Sequence, residues 1–118
     1  MRVAIRVAGT IRIICMKVEH WDGRRDGALS ESALLRKLEN LGYTVSCYTY
    51  PPGTCFPTHT HAEEKIDAVV SGRFRIRIGG DGVVLEAGDA VHVPAGAEHS
   101  AEVVGADPVV SLDAVKVS

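Results

Sequence analysis

Long apolar runs, paired cysteines, aromatic residues and net charge are all scarce in this chain, and each scarcity excludes a class of protein. No apolar stretch in the 118 residues approaches the ~20 that a bilayer-spanning helix needs, so no transmembrane segment is expected. Cys15, Cys47 and Cys55 form no C-x-x-C pair and leave an odd thiol under any pairing, which argues against a disulfide-stapled secreted scaffold. The 13 Lys and Arg nearly balance the 15 Asp and Glu, so the net charge of −2 gives no electrostatic case for nucleic acid or an anionic membrane as partner. The opening residues, Met1 to Met16, scatter Arg2, Arg6 and Arg12 among their apolar positions and lack the compact apolar block of a signal peptide. A cytoplasmic location is the expectation, with either Met1 or Met16 as the natural start.

What is present is an ordinary globular composition: 46% hydrophobic and 24% charged residues support a buried core and exclude disorder. The length suits one domain, since single cores usually run to roughly 100–200 residues. Val3, Ile5 and Val7 alternate with Arg2, Ala4 and Arg6, the period of a strand, and this strand is available for pairing with a neighbouring subunit. Between Ser30 and Gly42 the spacing of Leu34, Leu35, Leu38 and Leu41 predicts a helix, with Ser30 as N-cap and Gly42 as stop. It is expected to be the one substantial helix.

From Tyr43 onward the texture changes to short runs rich in Val, Ile, Thr and Tyr, closed by turn residues. Strands are expected at Tyr43–Tyr50, Ile66–Val70, Arg73–Ile78, Val83–Leu85, Ala90–Val93, Ala101–Val104 and Val109–Val115. Pro51-Pro52-Gly53, Gly79-Gly80-Asp81-Gly82, Ala87-Gly88-Asp89, Pro94-Ala95-Gly96 and Gly105-Ala106-Asp107-Pro108 provide the turns. So many short strands at close spacing imply an all-β barrel or sandwich, with residues 1–42 as a strand-and-helix extension and 43–118 as the barrel.

His59 and His61 stand two apart, and in extended chain such residues share a face, so their imidazoles converge. A third imidazole from elsewhere, with His99 the obvious candidate, would complete a facial site for a divalent transition metal with positions left open.

The surrounding residues make the pattern specific. Gly53 to Gly72 resembles the first motif of the cupin superfamily, G-x5-H-x-H-x3-E-x6-G, through Gly53, His59, His61 and Gly72. Gly88 to His99 resembles the second, G-x5-P-x-G-x2-H-x3-N, through Gly88, Pro94, Gly96 and His99. The resemblance implies a double-stranded β-helix, or jelly roll, that holds one divalent metal ion (iron, nickel, copper, manganese or zinc) through His59, His61 and His99. It also implies a homodimer, formed through sheet faces or by exchange of N-terminal strands.

Two positions depart from the motifs: Lys65 stands where the family has its glutamate ligand, and Val103 where it has asparagine. A lysine ammonium has no lone pair for a metal, so the carry-over gives three histidines at most. Glu63 and Glu64 miss the family's spacing, and an unbroken strand would turn Glu64 away from His61. For Lys65 three readings are open: an ion pair with Glu63, Glu64 or Asp67 that marks a weakened metal site; a cavity position where it holds an anionic ligand or moves a proton; or exposure at a strand end.

Other residues carry less. His92, flanked by Val91 and Val93, is expected at the surface or an interface rather than as a ligand. Trp21 beside His20 is read as a packing anchor, Cys55 as a small buried group, and Asp89 as a turn residue. Arg73, Arg75 and Arg77 form the basic face of a strand whose other face is apolar, suited to salt bridges, or to clamping a carboxylate if that face is interior.

Two functions stay in play. One is a metal-dependent oxygenase or isomerase acting on a small oxygenated or anionic molecule, with Lys65 as candidate catalytic group; the other is a non-catalytic binding or sensor module that keeps the barrel but not the metal chemistry.

Overall fold

Alternation of side chains decides the architecture. In the computed structural model, which describes residues 2–117, the strands are β1 (Arg2–Val7), β2 (Thr10–Cys15), β3 (Val18–Glu19), β4 (Tyr43–Tyr50), β5 (Cys55–His59), β6 (Lys65–Ser71), β7 (Phe74–Ile78), β8 (Asp81–Leu85), β9 (Ala90–Val93), β10 (His99–Val103) and β11 (Val109–Lys116). A single turn, α1 (Gly23–Asp26), and one longer helix, α2 (Glu31–Asn40), interrupt them. β5-β10-β7-β8 form one sheet and β3-β9-β6-β11-β4 the other, all their pairings antiparallel. Side chains packed between the sheets, among them Val69, Phe74, Ile76, Ile78, Leu85, Val91, Val93 and Val109, make the main core.

The five-stranded sheet is covered on its outer face as well. Ser30 caps α2 by accepting a hydrogen bond from the Ala33 N–H at 3.1 Å, and Leu34 and Leu38 dock on Ile66, Ala68, Leu112 and Ala114. That double burial explains the near-continuous apolar reading of β6, where Ile66 and Ala68 face the helix while Lys65, Asp67 and Val69 face the barrel.

The N-terminus is more elaborate than one strand. β1 turns through Ala8 (φ 50) and Gly9 (φ 80) into β2, so the two pair as a hairpin within the chain. Val3 and Ile5 enter the main core, while Ile11 and Ile13 are 61% and 64% exposed on the opposite face. Gly79 lets the hairpin approach the barrel, because a Cβ there would run into the Ala4 carbonyl. β3 then joins the barrel sheet beside β9.

Candidate metal centre and cavity

The three predicted histidines meet because β5 and β10 pair. His59 ends β5, His99 opens β10, and the two stand opposite each other in the ladder with ring centroids 4.2 Å apart. His61 lies beyond the end of β5, so its convergence does not come from strand alternation. Its carbonyl instead accepts the Gly96 N–H at 2.7 Å, and Gly96 (φ +74) supplies the backbone twist that turns this loop toward it. The imidazole of His61 sits 4.8 Å from that of His59 and 5.2 Å from that of His99, centroid to centroid.

The donor chemistry fits a metal. One ligand nitrogen from each histidine can be chosen so that all lie within 4.8 Å of one another, close enough for a shared ion, whose metal–nitrogen bonds near 2.1 Å would draw them to about 3–3.5 Å. Nδ1 of His59 lies 2.7 Å from the Pro57 carbonyl and Nδ1 of His99 lies 2.8 Å from the Ala97 carbonyl. A carbonyl only accepts, so each Nδ1 carries the proton and each Nε2 keeps a free lone pair. Burial lowers the basicity of His99 to a pKa of about 4, with the neighbouring His59, His61 and Lys65 adding to the effect; burial, Lys65 and His59 likewise lower that of His61. Those two rings are therefore neutral at pH 7, the form that binds a cation.

The histidines form one wall of a cavity of about 350 Å³, large enough for a small organic molecule. Tyr48, Tyr50, Phe56 and Phe74 line it too, the last three rings packed within 4.9–6.4 Å of one another. Its remaining charged residues are Lys65 and Asp67 from β6 and Asp113 from β11.

Lys65 is buried, 7% exposed, so the reading of a solvated strand end is corrected: the inward alternation of β6 carries it into the cavity. Its partner is also different from those expected. Nζ lies 2.5 Å from Asp113 Oδ1 on the adjacent strand, whereas Glu63 is exposed and Glu64 accepts the Tyr43 hydroxyl at 3.1 Å. Asp67 stands directly opposite Asp113 in the β6–β11 ladder. Burial pushes its carboxyl well above the usual range, and the negative charge of Asp113 pushes the same way while Lys65 opposes both. Asp113 was not singled out from sequence and Asp67 only as an ion-pair partner. The signal was there, since each is an acid set among immediate apolar neighbours, in Ile66-Asp67-Ala68-Val69 and Leu112-Asp113-Ala114.

Other expected positions fall outside this cavity. His92 points to the outer face, 3.8 Å from Glu19, as the burial of Val91 and Val93 requires. Arg75 pairs with Glu102 at 2.7 Å and Arg73 with Glu86 at 3.5 Å on the solvent side, because Phe74, Ile76 and Ile78 take the interior. Asp89 closes its turn by accepting the Glu86 N–H, and Trp21 packs against Gly88. Cys55 is exposed, not buried as expected, since alternation on β5 turns its neighbour Phe56 inward instead.

The sequence profile described as "Cupin domain" matches residues 46–115, more than half the chain. The chain belongs to the cupin family. Its two sheets are those of the family's double-stranded β-helix. An uncharacterised protein of Streptomyces coelicolor is 33% identical over 72 residues, 61% of this chain and 69% of that protein. A structure of the DMSP lyases RdDddP and RnDddQII superposes with a TM-score of 0.59 at 27% identity, covering 64% of this cupin and only 39% of that chain. Bacillus subtilis oxalate decarboxylase, described for its Mn(II) centres, superposes with a TM-score of 0.56 at 26% identity, covering 64% of this cupin and 22% of that chain. Among the described residues no helix is long and apolar enough to cross a membrane.

Proposed function

We propose that this cupin binds one divalent transition-metal ion through the Nε2 atoms of His59, His61 and His99 and acts on a small oxygenated or anionic molecule in the adjoining cavity. The observation that carries the reading is the pair of backbone-anchored imidazoles, His59 and His99, whose Nδ1 atoms are tied to carbonyls so that Nε2 is presented to the cavity. Oxygenase or isomerase chemistry fits best: the bound ion would supply Lewis acidity to a chelating ligand. Three neutral protein ligands leave its double charge uncompensated, which favours an anionic partner. Lys65, Asp67 and Asp113 provide groups that orient such a partner and exchange protons with it. The likeness to a decarboxylase described for its Mn(II) centres and to lyases supports the coarser reading, a metal-binding cupin that acts on a small molecule.

One observation favours the second reading, a binding or sensor module: the position that carries the family's carboxylate ligand holds a lysine already paired to Asp113. Replacing that lysine separates the two. Lys65→Glu places a carboxylate beside the three imidazoles, so zinc or manganese should bind at least 10-fold more tightly by calorimetry than to the parent protein, the scale on which supporting groups act at metal sites. No metal uptake by the parent or by the variant would show that the cavity is not built around an ion and would favour the sensor reading.

We also propose that the protein works in the cytoplasm as a homodimer, paired through the outer face of the β1–β2 hairpin, where Ile11 and Ile13 lie in the open.

A further inference from the structure

Two carboxyl groups stand opposite each other inside the barrel, and one lysine is paired to the second of them. Asp67 and Asp113 are opposite residues on paired strands, so their side chains share one face, and both line the same cavity. An ionised carboxylate is only an acceptor, so two carboxyls bond to each other when one of them holds a proton. Lys65 sits against Oδ1 of Asp113, an oxygen that is buried and receives no hydrogen bond in good geometry from a nitrogen or hydroxyl donor among the described residues. The lysine is thus ion-paired to Asp113, and Asp67, whose anion burial disfavours, is the carboxyl left to hold the proton.

Every element packed around the pair adds to the picture. β6 contributes Lys65, β11 contributes Asp113, and β4 contributes Tyr48 and Tyr50, the hydroxyl of the latter pushed up to about 12, first by burial and then by the charge of Asp113. Across the cavity stand His59, His61 and His99. Asp113 and Lys65 both act electrostatically on His61, in opposite directions, so the carboxyl side and the histidine side are within each other's field. Neither carboxyl occupies the Nδ1 atoms of His59 and His99, which are held by backbone carbonyls.

We propose that Asp67 and Asp113 share one proton while the histidines are free, and release it to solvent when the histidines take up a divalent cation, so that the pair then faces the cavity's ligand as a base. The inference rests on the metal-binding reading above for its second half only. The balance is simple: one O–H bond of the carboxyl pair breaks, its proton passes to buffer, and the cavity gains one negative charge against the two positive charges it takes in. Like-charge coupling of this kind holds a proton between close carboxyls, and a nearby dication removes the reason for holding it.

The two halves are tested separately. In metal-free protein labelled with aspartate ¹³Cγ, one resonance should titrate above about pH 5.5, more than a unit over the unperturbed value near 3.9, and should vanish in Asp67→Asn. In Asp113→Asn the Asp67 resonance should move down toward the ordinary range, since a negative neighbour is lost and Lys65 is freed; this second variant decides the matter should Asp67→Asn not fold. All aspartates titrating in the ordinary range would overturn the shared proton and leave the metal site untouched. Zinc is then titrated calorimetrically at pH 6 in buffers of different ionisation enthalpy. The parent should release more protons per ion than Asp67→Asn, the excess matching the fraction of the pair that the carboxyl titration shows protonated at pH 6; the variant comparison cancels protons from the histidines and from zinc-bound water. Equal release would overturn the coupling, and no zinc uptake would overturn it together with the proposed function while the carboxyl titration still stands.

Discussion

At the scale of single residues, the site combines groups whose charges depend on burial. His99 is the clearest case: its folded pKa of about 4 lies below the ordinary 6.5, so between those values the unfolded chain binds a proton that the folded one refuses. Stability from this group is present above pH 6.5 and lost as pH falls toward 4, by about 1.4 kcal/mol per pH unit across the window. Metal-free protein should therefore melt at a lower temperature at pH 5 than at pH 7, and His99→Gln should flatten that difference in a calorimetric scan; equal slopes would mean the buried ring is not the group that titrates. Lys65 shows where residue-level reading of the sequence stops. The motif placed it beside the histidines, yet its partner lies 48 positions downstream on β11 and is fixed by strand register, which spacing in the sequence does not encode.

At the scale of elements, legibility followed local chemistry. α2 begins and ends where Ser30 and Gly42 predict, because capping is a short-range hydrogen-bond property, and β4 and β9 have the predicted bounds. β2 was not foreseen: Ala8-Gly9 is a two-residue turn with positive φ at both positions, and alanine does not advertise such a turn as asparagine or aspartate would. The helix contributes through packing rather than through the site. Leu38 is 3% exposed beneath Ile66, Ala68 and Leu112, so Leu38→Ala should destabilise the fold by about 2–4 kcal/mol in urea unfolding while the histidine cluster, on the other face of the sheet, keeps its metal affinity. A change in affinity as large as the change in stability would mean that α2 supports the cavity directly.

At the scale of the whole molecule, the fold accounts for the site: pairing of β5 with β10 joins the two motifs, and pairing of β6 with β11 brings the lysine and both carboxyls to the facing wall. The glycine, proline and histidine framework made the barrel readable from sequence, whereas the acidic wall is a product of closure and became visible only in three dimensions. The hairpin bears on assembly. If Ile11 and Ile13 face a second copy, light scattering should give twice the 12.6 kDa chain mass, and Ile13→Glu should reduce it to one chain without loss of fold; a parent that is already monomeric would remove the homodimer. The central claim, that three imidazoles form a metal centre, is tested most directly by elemental analysis of protein purified without an affinity tag or chelator, beside a His61→Ala variant. The account predicts close to one transition-metal ion per chain in the parent and a large loss in the variant; a parent that carries no metal and takes up none when offered, or a variant that keeps its metal in full, would contradict it.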